Sequence, residues 1–113
     1  MRIIAGPCQH ESYEHSLKIA KECQRVCEKH GIEFYYKASY DKANRSDYFG
    51  ERGQGLVSTL TDFMKLKNEL GIKTLTDVHN EEEVRAISNS FPTAADVIQI
   101  PAFLCRQTDL IRE

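Results

Sequence analysis

The 113-residue chain sets 15 lysines and arginines against 17 acidic residues, a formal charge of −2, with 41% hydrophobic and 28% charged residues. That balance offers no electrostatic argument for nucleic acid or an anionic membrane surface, and no apolar run approaches the roughly 18 residues that a spanning helix needs. Such a length holds one domain, or part of one, with a modest core. Without an export pattern at the N-terminus, Cys8, Cys23, Cys27 and Cys105 read as reduced thiols of a cytoplasmic protein.

Ile3-Ile4-Ala5 predicts a first strand, closed by Gly6-Pro7. Cys8 to Glu11 form a turn before Ser12, a good N-cap. Leu17, Ala20, Cys23 and Cys27 recur at helical spacing, so 13–30 is an amphipathic helix stopped by Gly31, its two cysteines acting as small core residues. Phe34 to Lys37 is the second strand. The segment 37–46 after it places Lys37, Lys42 and Arg45 among Ser39, Asn44 and Ser46, a mixture that suits phosphate and carboxylate oxygens. Such a cluster is also what a solvated basic loop looks like.

Leu56, Leu60, Phe63, Met64 and Leu70 form the next helical stripe, ended by Gly71. Residues 72–76 predict the third strand, with Asp77-Val78-His79 standing beyond its end. Asn80 with Glu83 predicts a capping box opening a helix over 81–89, which Phe91-Pro92 breaks. Residues 97–100 predict the fourth strand, and Thr108 a cap for a fourth helix.

The alternation predicts an α/β chain with four parallel strands in sequential order and helical crossovers. The strands read as apolar runs, as when both faces of a sheet are covered. Polar or ionisable residues follow each strand: Gly6-Pro7-Cys8, the run 37–46, Asp77 to His79, and Gln99 to Phe103. In parallel α/β folds, (β/α)8 barrels above all, active sites lie at that edge, which turns the basic segment into a candidate binding site.

These stretches resemble the 3-deoxy-D-manno-octulosonate 8-phosphate synthase family. The matching residues are Ile4 to Cys8 with Glu11-Ser12, Lys37-Ala-Ser39 with Asp41 to Ser46, Thr76 to His79, and Gln99 to Asp109. The resemblance implies a (β/α)8 barrel, of which 1–113 supply about the first four βα units, with the domain continuing beyond Glu113; a whole barrel takes about 200 residues or more. It implies a transferase that joins phosphoenolpyruvate to arabinose 5-phosphate, releases inorganic phosphate and serves lipopolysaccharide synthesis. Lys37, Ser39, Lys42, Gln99 and the backbone at Ala102 and Phe103 would take phosphoenolpyruvate. Asn44, Arg45 and Ser46 would take the pentose phosphate, with Arg106, Gln107 and Thr108 reaching that of an adjacent subunit in a homo-oligomer, a tetramer by resemblance. Lys42, Asn44 and Asp77 would be catalytic, with His79 beside Asp77. Cys8 matches the thiolate ligand of a divalent metal (zinc, iron or manganese) in the metal-dependent branch; no organic cofactor is implied.

Asp47 stands where the family has a second serine after Ser46. The other metal ligands would come from the second half of the barrel, and 113 residues alone would be inactive. Two alternatives remain open: a related seven-carbon synthase, disfavoured by Lys42-Ala-Asn-Arg45, and a non-catalytic half-barrel that needs a partner chain.

Overall fold

The computed structural model describes residues 1–40 and 52–113. Strands and helices alternate: β1 (Arg2–Ala5), α1 (Tyr13–Lys29), β2 (Glu33–Lys37), α2 (Arg52–Leu70), β3 (Lys73–Asp77), α3 (Glu81–Ser90) and β4 (Val97–Gln99). A 3-10 turn at Ala102–Leu104 and a short helix, α4 (Thr108–Arg112), follow. The strands form one sheet in the order β1-β2-β3-β4, and every neighbouring pair is parallel. Sequential parallel strands joined through helices are the arrangement of the first half of a (β/α)8 barrel.

The helix ends follow from local chemistry. Ser12 sits in extended backbone, and its Oγ accepts the His15 N–H at 3.1 Å, satisfying one of the donors that the first turn leaves free. Gly31 and Gly71 end α1 and α2 with φ of 65° and 64°. No heavy atom lies within 4 Å of where a Cβ would stand on either one. Conformation, not space, selects glycine there.

The helices cover one face of the sheet. Phe34, Tyr36 and Ala38 alternate toward α1 and α2, where they bury against Ala20, Cys27, Phe63 and Leu66. A second cluster joins Leu56 and Leu60 of α2 to Val78, Ile87, Ala94 and Leu110. The opposite face carries exposed Arg2, Glu33 and Lys73, with Ile4 at 55% and Val97 at 39% of full exposure. Tyr35 of β2, on that face, is nonetheless only 8% exposed. Its ring lies under the Arg2 guanidinium at 5.4 Å and the Lys73 ammonium at 5.2 Å, so two charged side chains cover it.

Element ends differ in detail from the sequence reading. β3 runs one residue further, so Asp77 lies within the strand and pairs with Gln99 of β4. Asn80 caps α3 by accepting the Glu83 N–H at 3.0 Å, but the Glu83 carboxylate turns to the His79 N–H at 2.6 Å instead of closing the box on Asn80. Gln107 is the N-cap of α4, without a side-chain bond, and Thr108 is already the first helical residue.

Candidate active site at the C-terminal strand edge

The site begins with a close backbone approach. A Cβ on Gly6 would stand 1.9 Å from the carbonyl oxygen of Lys37, so only glycine lets the end of β1 lie against β2 there. Beyond Pro7 the two chains stay together. The Cys8 carbonyl accepts the Ser39 N–H at 3.4 Å, and the Ser39 carbonyl accepts the His10 N–H at 2.8 Å. The loop after β1 thus continues the parallel ladder as a bridge between Gln9 and Ser39.

Lys37 and Asp77 stand on the face that the helices leave open, as their positions alternate with those that face the core. Lys37 Nζ donates to Ser39 Oγ at 3.3 Å and lies 4.0 Å from Asp77 Oδ1. Asp77 is 8% exposed, and its other carboxylate oxygen faces His79 Nε2 at 3.2 Å. His79 Nδ1 stands 3.7 Å from Glu83 Oε2, beyond hydrogen-bond reach, and the Tyr40 ring meets the imidazole edge-on at 5.9 Å. The result is a connected set, Ser39–Lys37–Asp77–His79, mostly shielded from water. It offers one ammonium for an anion and a carboxylate beside an imidazole.

The sequence also meets a family pattern. The DAHP synthetase I family profile matches residues 1–113. The chain belongs to that family. It is 50% identical over 111 residues to the 2-dehydro-3-deoxyphosphooctonate aldolase of Chelativorans sp. (strain BNC1), covering 98% of this chain and 39% of that protein. The proteins of the same name from Bartonella bacilliformis and Rhizobium meliloti are 49% and 47% identical over 111 residues, again 98% of this chain and 38% of theirs. That name denotes the octulosonate phosphate synthase whose motifs the sequence shows. The chain spans under two-fifths of the length of these curated relatives.

The structure brings some of the sequence-selected residues together and leaves others apart. Lys37, Ser39 and Asp77 form the connected set, and Gln99 lies beside Asp77 in register, exposed. Ala102 and Phe103 sit in the 3-10 turn past β4, Phe103 at 70% exposure. Arg106, Gln107 and Thr108 are exposed around the start of α4. Lys42, Asn44, Arg45 and Ser46 lie outside the described residues. Cys8 is an exposed, unpaired thiol at the end of β1.

A metal finds one candidate donor in Cys8, but among the described residues no three His, Cys, Asp or Glu side chains group so as to hold an ion. Nearby His10 is committed through both ring nitrogens, to Ser16 and to Asp62. These residues do not by themselves make a metal site.

Reading the sequence missed Gly6 as a packing requirement, Glu83 as a support for His79, and the His10–Asp62 pair. The capping-box spacing marked Glu83 but assigned it the wrong partner. Nothing in the sequence joins His10 to Asp62, since 52 residues separate them.

Proposed function

We propose that the protein carrying these residues condenses phosphoenolpyruvate with arabinose 5-phosphate, giving the eight-carbon 3-deoxy sugar acid phosphate and inorganic phosphate. The observation that carries this reading is the Lys37–Asp77–His79 set at the C-terminal strand edge of a chain about half identical to 2-dehydro-3-deoxyphosphooctonate aldolases. The names of those relatives favour the eight-carbon reaction over the seven-carbon alternative.

Both substrates are anions, so bringing their carbons to bonding distance requires cations that offset their mutual repulsion. In this reading Lys37 Nζ, which spends one of its three donors on Ser39, gives another to the phosphoenolpyruvate carboxylate. Ser39, Gln99 and the backbone at Ala102 and Phe103 complete that subsite, with Lys42 nearer the reacting carbon. Asp77, with His79 Nε2 at 3.2 Å, faces the pentose together with Asn44. Arg45 and Ser46 hold the pentose phosphate, with Arg106, Gln107 and Thr108 serving a neighbouring subunit of a homo-oligomer. A carbon–carbon bond forms between the methylene of the enol phosphate and the aldehyde. Water adds at the enol carbon, and its carbon–oxygen bond to phosphate breaks.

Cys8 is proposed as one thiolate of a divalent metal whose other ligands come from outside these residues; its support is an exposed, unpaired thiol at a strand end. Residues 1–113 are proposed as the first four βα units of the barrel, working as a soluble cytoplasmic enzyme. The test is to follow phosphate release from phosphoenolpyruvate with arabinose 5-phosphate and, separately, with erythrose 4-phosphate. In the whole enzyme that carries these residues, turnover only with the pentose is expected; turnover with the tetrose, or with neither, overturns the assignment.

A further inference from the structure

His10 lies in the loop between β1 and α1, two residues from Cys8, and its ring belongs to the packing between the helices. Nε2 meets Asp62 Oδ2 of α2 at 2.8 Å, and Nδ1 meets Ser16 Oγ of α1 at 2.9 Å. The His10 side chain is 6% exposed, that of Asp62 14%, and Ser16 is fully buried. The edge of Phe63 closes the cage at 6.3 Å, and Lys65 Nζ answers the second Asp62 oxygen at 3.5 Å.

A serine, a histidine and an aspartate in a row would ordinarily suggest an activated nucleophile. Here the serine has no access to solvent or substrate, so the row is not catalytic. Ser16 and Asp62 each take one ring nitrogen of His10. Every polar atom of the ring is satisfied, and the imidazole ties one loop to two helices.

We infer that His10 is a positioning residue: its ring, held by α1 and α2, fixes the β1–α1 loop in register with the end of β2 and so sets Ser39 and Lys37. The backbone provides the link. The same residue whose ring is caged donates its N–H to the Ser39 carbonyl at 2.8 Å, while Ser39 N–H is held by the Cys8 carbonyl. Ser39 Oγ in turn accepts from Lys37 Nζ. A shift of α2 therefore reaches the ammonium through three contacts, Asp62 to His10, His10 to Ser39, and Ser39 to Lys37. Only the effect on phosphoenolpyruvate rests on the proposed function; the effect on Ser39 does not.

The test is the double variant H10L/D62L in the intact protein, because removing both polar partners avoids stranding a buried carboxylate. Amide hydrogen exchange and phosphoenolpyruvate binding are both measured. Ser39 N–H is expected to exchange about tenfold faster, as on losing a hydrogen bond to a charged group, while Ala38 N–H, held by the Leu75 carbonyl, keeps its protection. Phosphoenolpyruvate affinity is expected to fall with it. D62N, which keeps an acceptor for Nε2, is expected to retain Ser39 protection. Unchanged Ser39 exchange in the double variant overturns the inference, as does acceleration of Ser39 and Ala38 together, which would make the pair a general stability element. Faster Ser39 exchange with unchanged phosphoenolpyruvate binding supports the positioning role and overturns the substrate assigned to Ser39 and Lys37.

Discussion

Lys37 Nζ and Asp77 Oδ1 face each other at 4.0 Å on adjacent strands, on the side of the sheet that the helices leave open. That separation is too long for a hydrogen bond, and Asp77 Oδ1 accepts none among the described residues although it is buried. A tight pair would have consumed both charges. This looser one keeps the ammonium oriented and still able to take an incoming anion, as a binding site for two charged substrates needs.

Replacing Lys37 by Met keeps the apolar stem and removes the charge. In the active enzyme the Michaelis constant for phosphoenolpyruvate should rise by about 1.5–3 kcal/mol, roughly ten- to a hundredfold, the cost of a lost hydrogen bond between charged groups. That for arabinose 5-phosphate should change much less. Steady-state kinetics varying each substrate in turn checks this, and an unchanged constant for phosphoenolpyruvate would remove Lys37 from the subsite.

Gly6→Ala should be among the most damaging single-methyl additions in the chain. The new Cβ would fall 1.9 Å from the Lys37 carbonyl oxygen, a backbone atom that cannot swing aside. Overpacking of that kind costs about 3 kcal/mol or more. Gly31→Ala is the comparison: it meets no atom but forces alanine to a φ of 65°, worth about 1–2 kcal/mol. Urea midpoints should rank wild type above Gly31→Ala above Gly6→Ala; the reverse order of the two variants would mean that the β1–β2 approach relaxes easily.

At the other end of the strands, hydrogen bonds from Arg2 and then Lys73 hold the Glu33 carboxyl down to about 2, from an ordinary value of 4.5. A depressed carboxyl stabilises the fold above its unfolded value, so this contribution is present in full above about pH 4.5 and fades as pH falls toward 2. The groups are exposed, so the effect should be small and should shrink in about 1 M salt. Glu33→Gln should flatten the acid limb of a stability–pH profile measured by urea unfolding. A profile identical to wild type would show that the ion pairs are not maintained in solution.

The fold was legible because glycine and capping signals mark several helix ends: Ser12 before α1, Gly31 and Gly71 after α1 and α2, Asn80 before α3. The edge that carries the site was legible for a similar reason, since Lys37, Ser39, Asp77 and Gln99 all come at or just after strand ends. What could not be read depends on contacts between distant segments. Gly6 looked like a strand breaker, and only the structure shows the Lys37 carbonyl against it. The covering of Tyr35 by Arg2 and Lys73 from neighbouring strands leaves no local trace. His10 and Asp62, far apart in the chain, meet only because α1 and α2 pack side by side over β2.

If Cys8 is a metal ligand, Cys8→Ser should lower metal content and activity together, since a neutral hydroxyl replaces the softest donor. Elemental analysis of the purified enzyme, beside its turnover number, is the measurement. Full metal stoichiometry with full activity in the variant would make Cys8 an exposed strand-end residue without a ligand role.

Lys42 and Arg45, three apart in the basic segment, are assigned opposite ends of the reaction. Lys42 is placed by resemblance near the reacting carbon of phosphoenolpyruvate, where charge changes most as the transition state forms. Losing it should depress turnover more than it weakens binding. Arg45 is assigned the distal phosphate of the pentose, whose charge is the same before and during reaction. Its loss should weaken sugar phosphate binding by about 2–5 kcal/mol if the pair is well desolvated, with turnover at saturation nearly kept. Asp47 places a carboxylate two residues after Arg45, so Asp47→Ser should move the pentose constant the other way, toward tighter binding. Kinetics on Lys42→Ala, Arg45→Ala and Asp47→Ser, varying each substrate separately in the active enzyme, tests all three. Near-parental constants throughout would reduce the segment to a solvated basic loop and leave Lys37 as the cation on which the anion-binding reading depends.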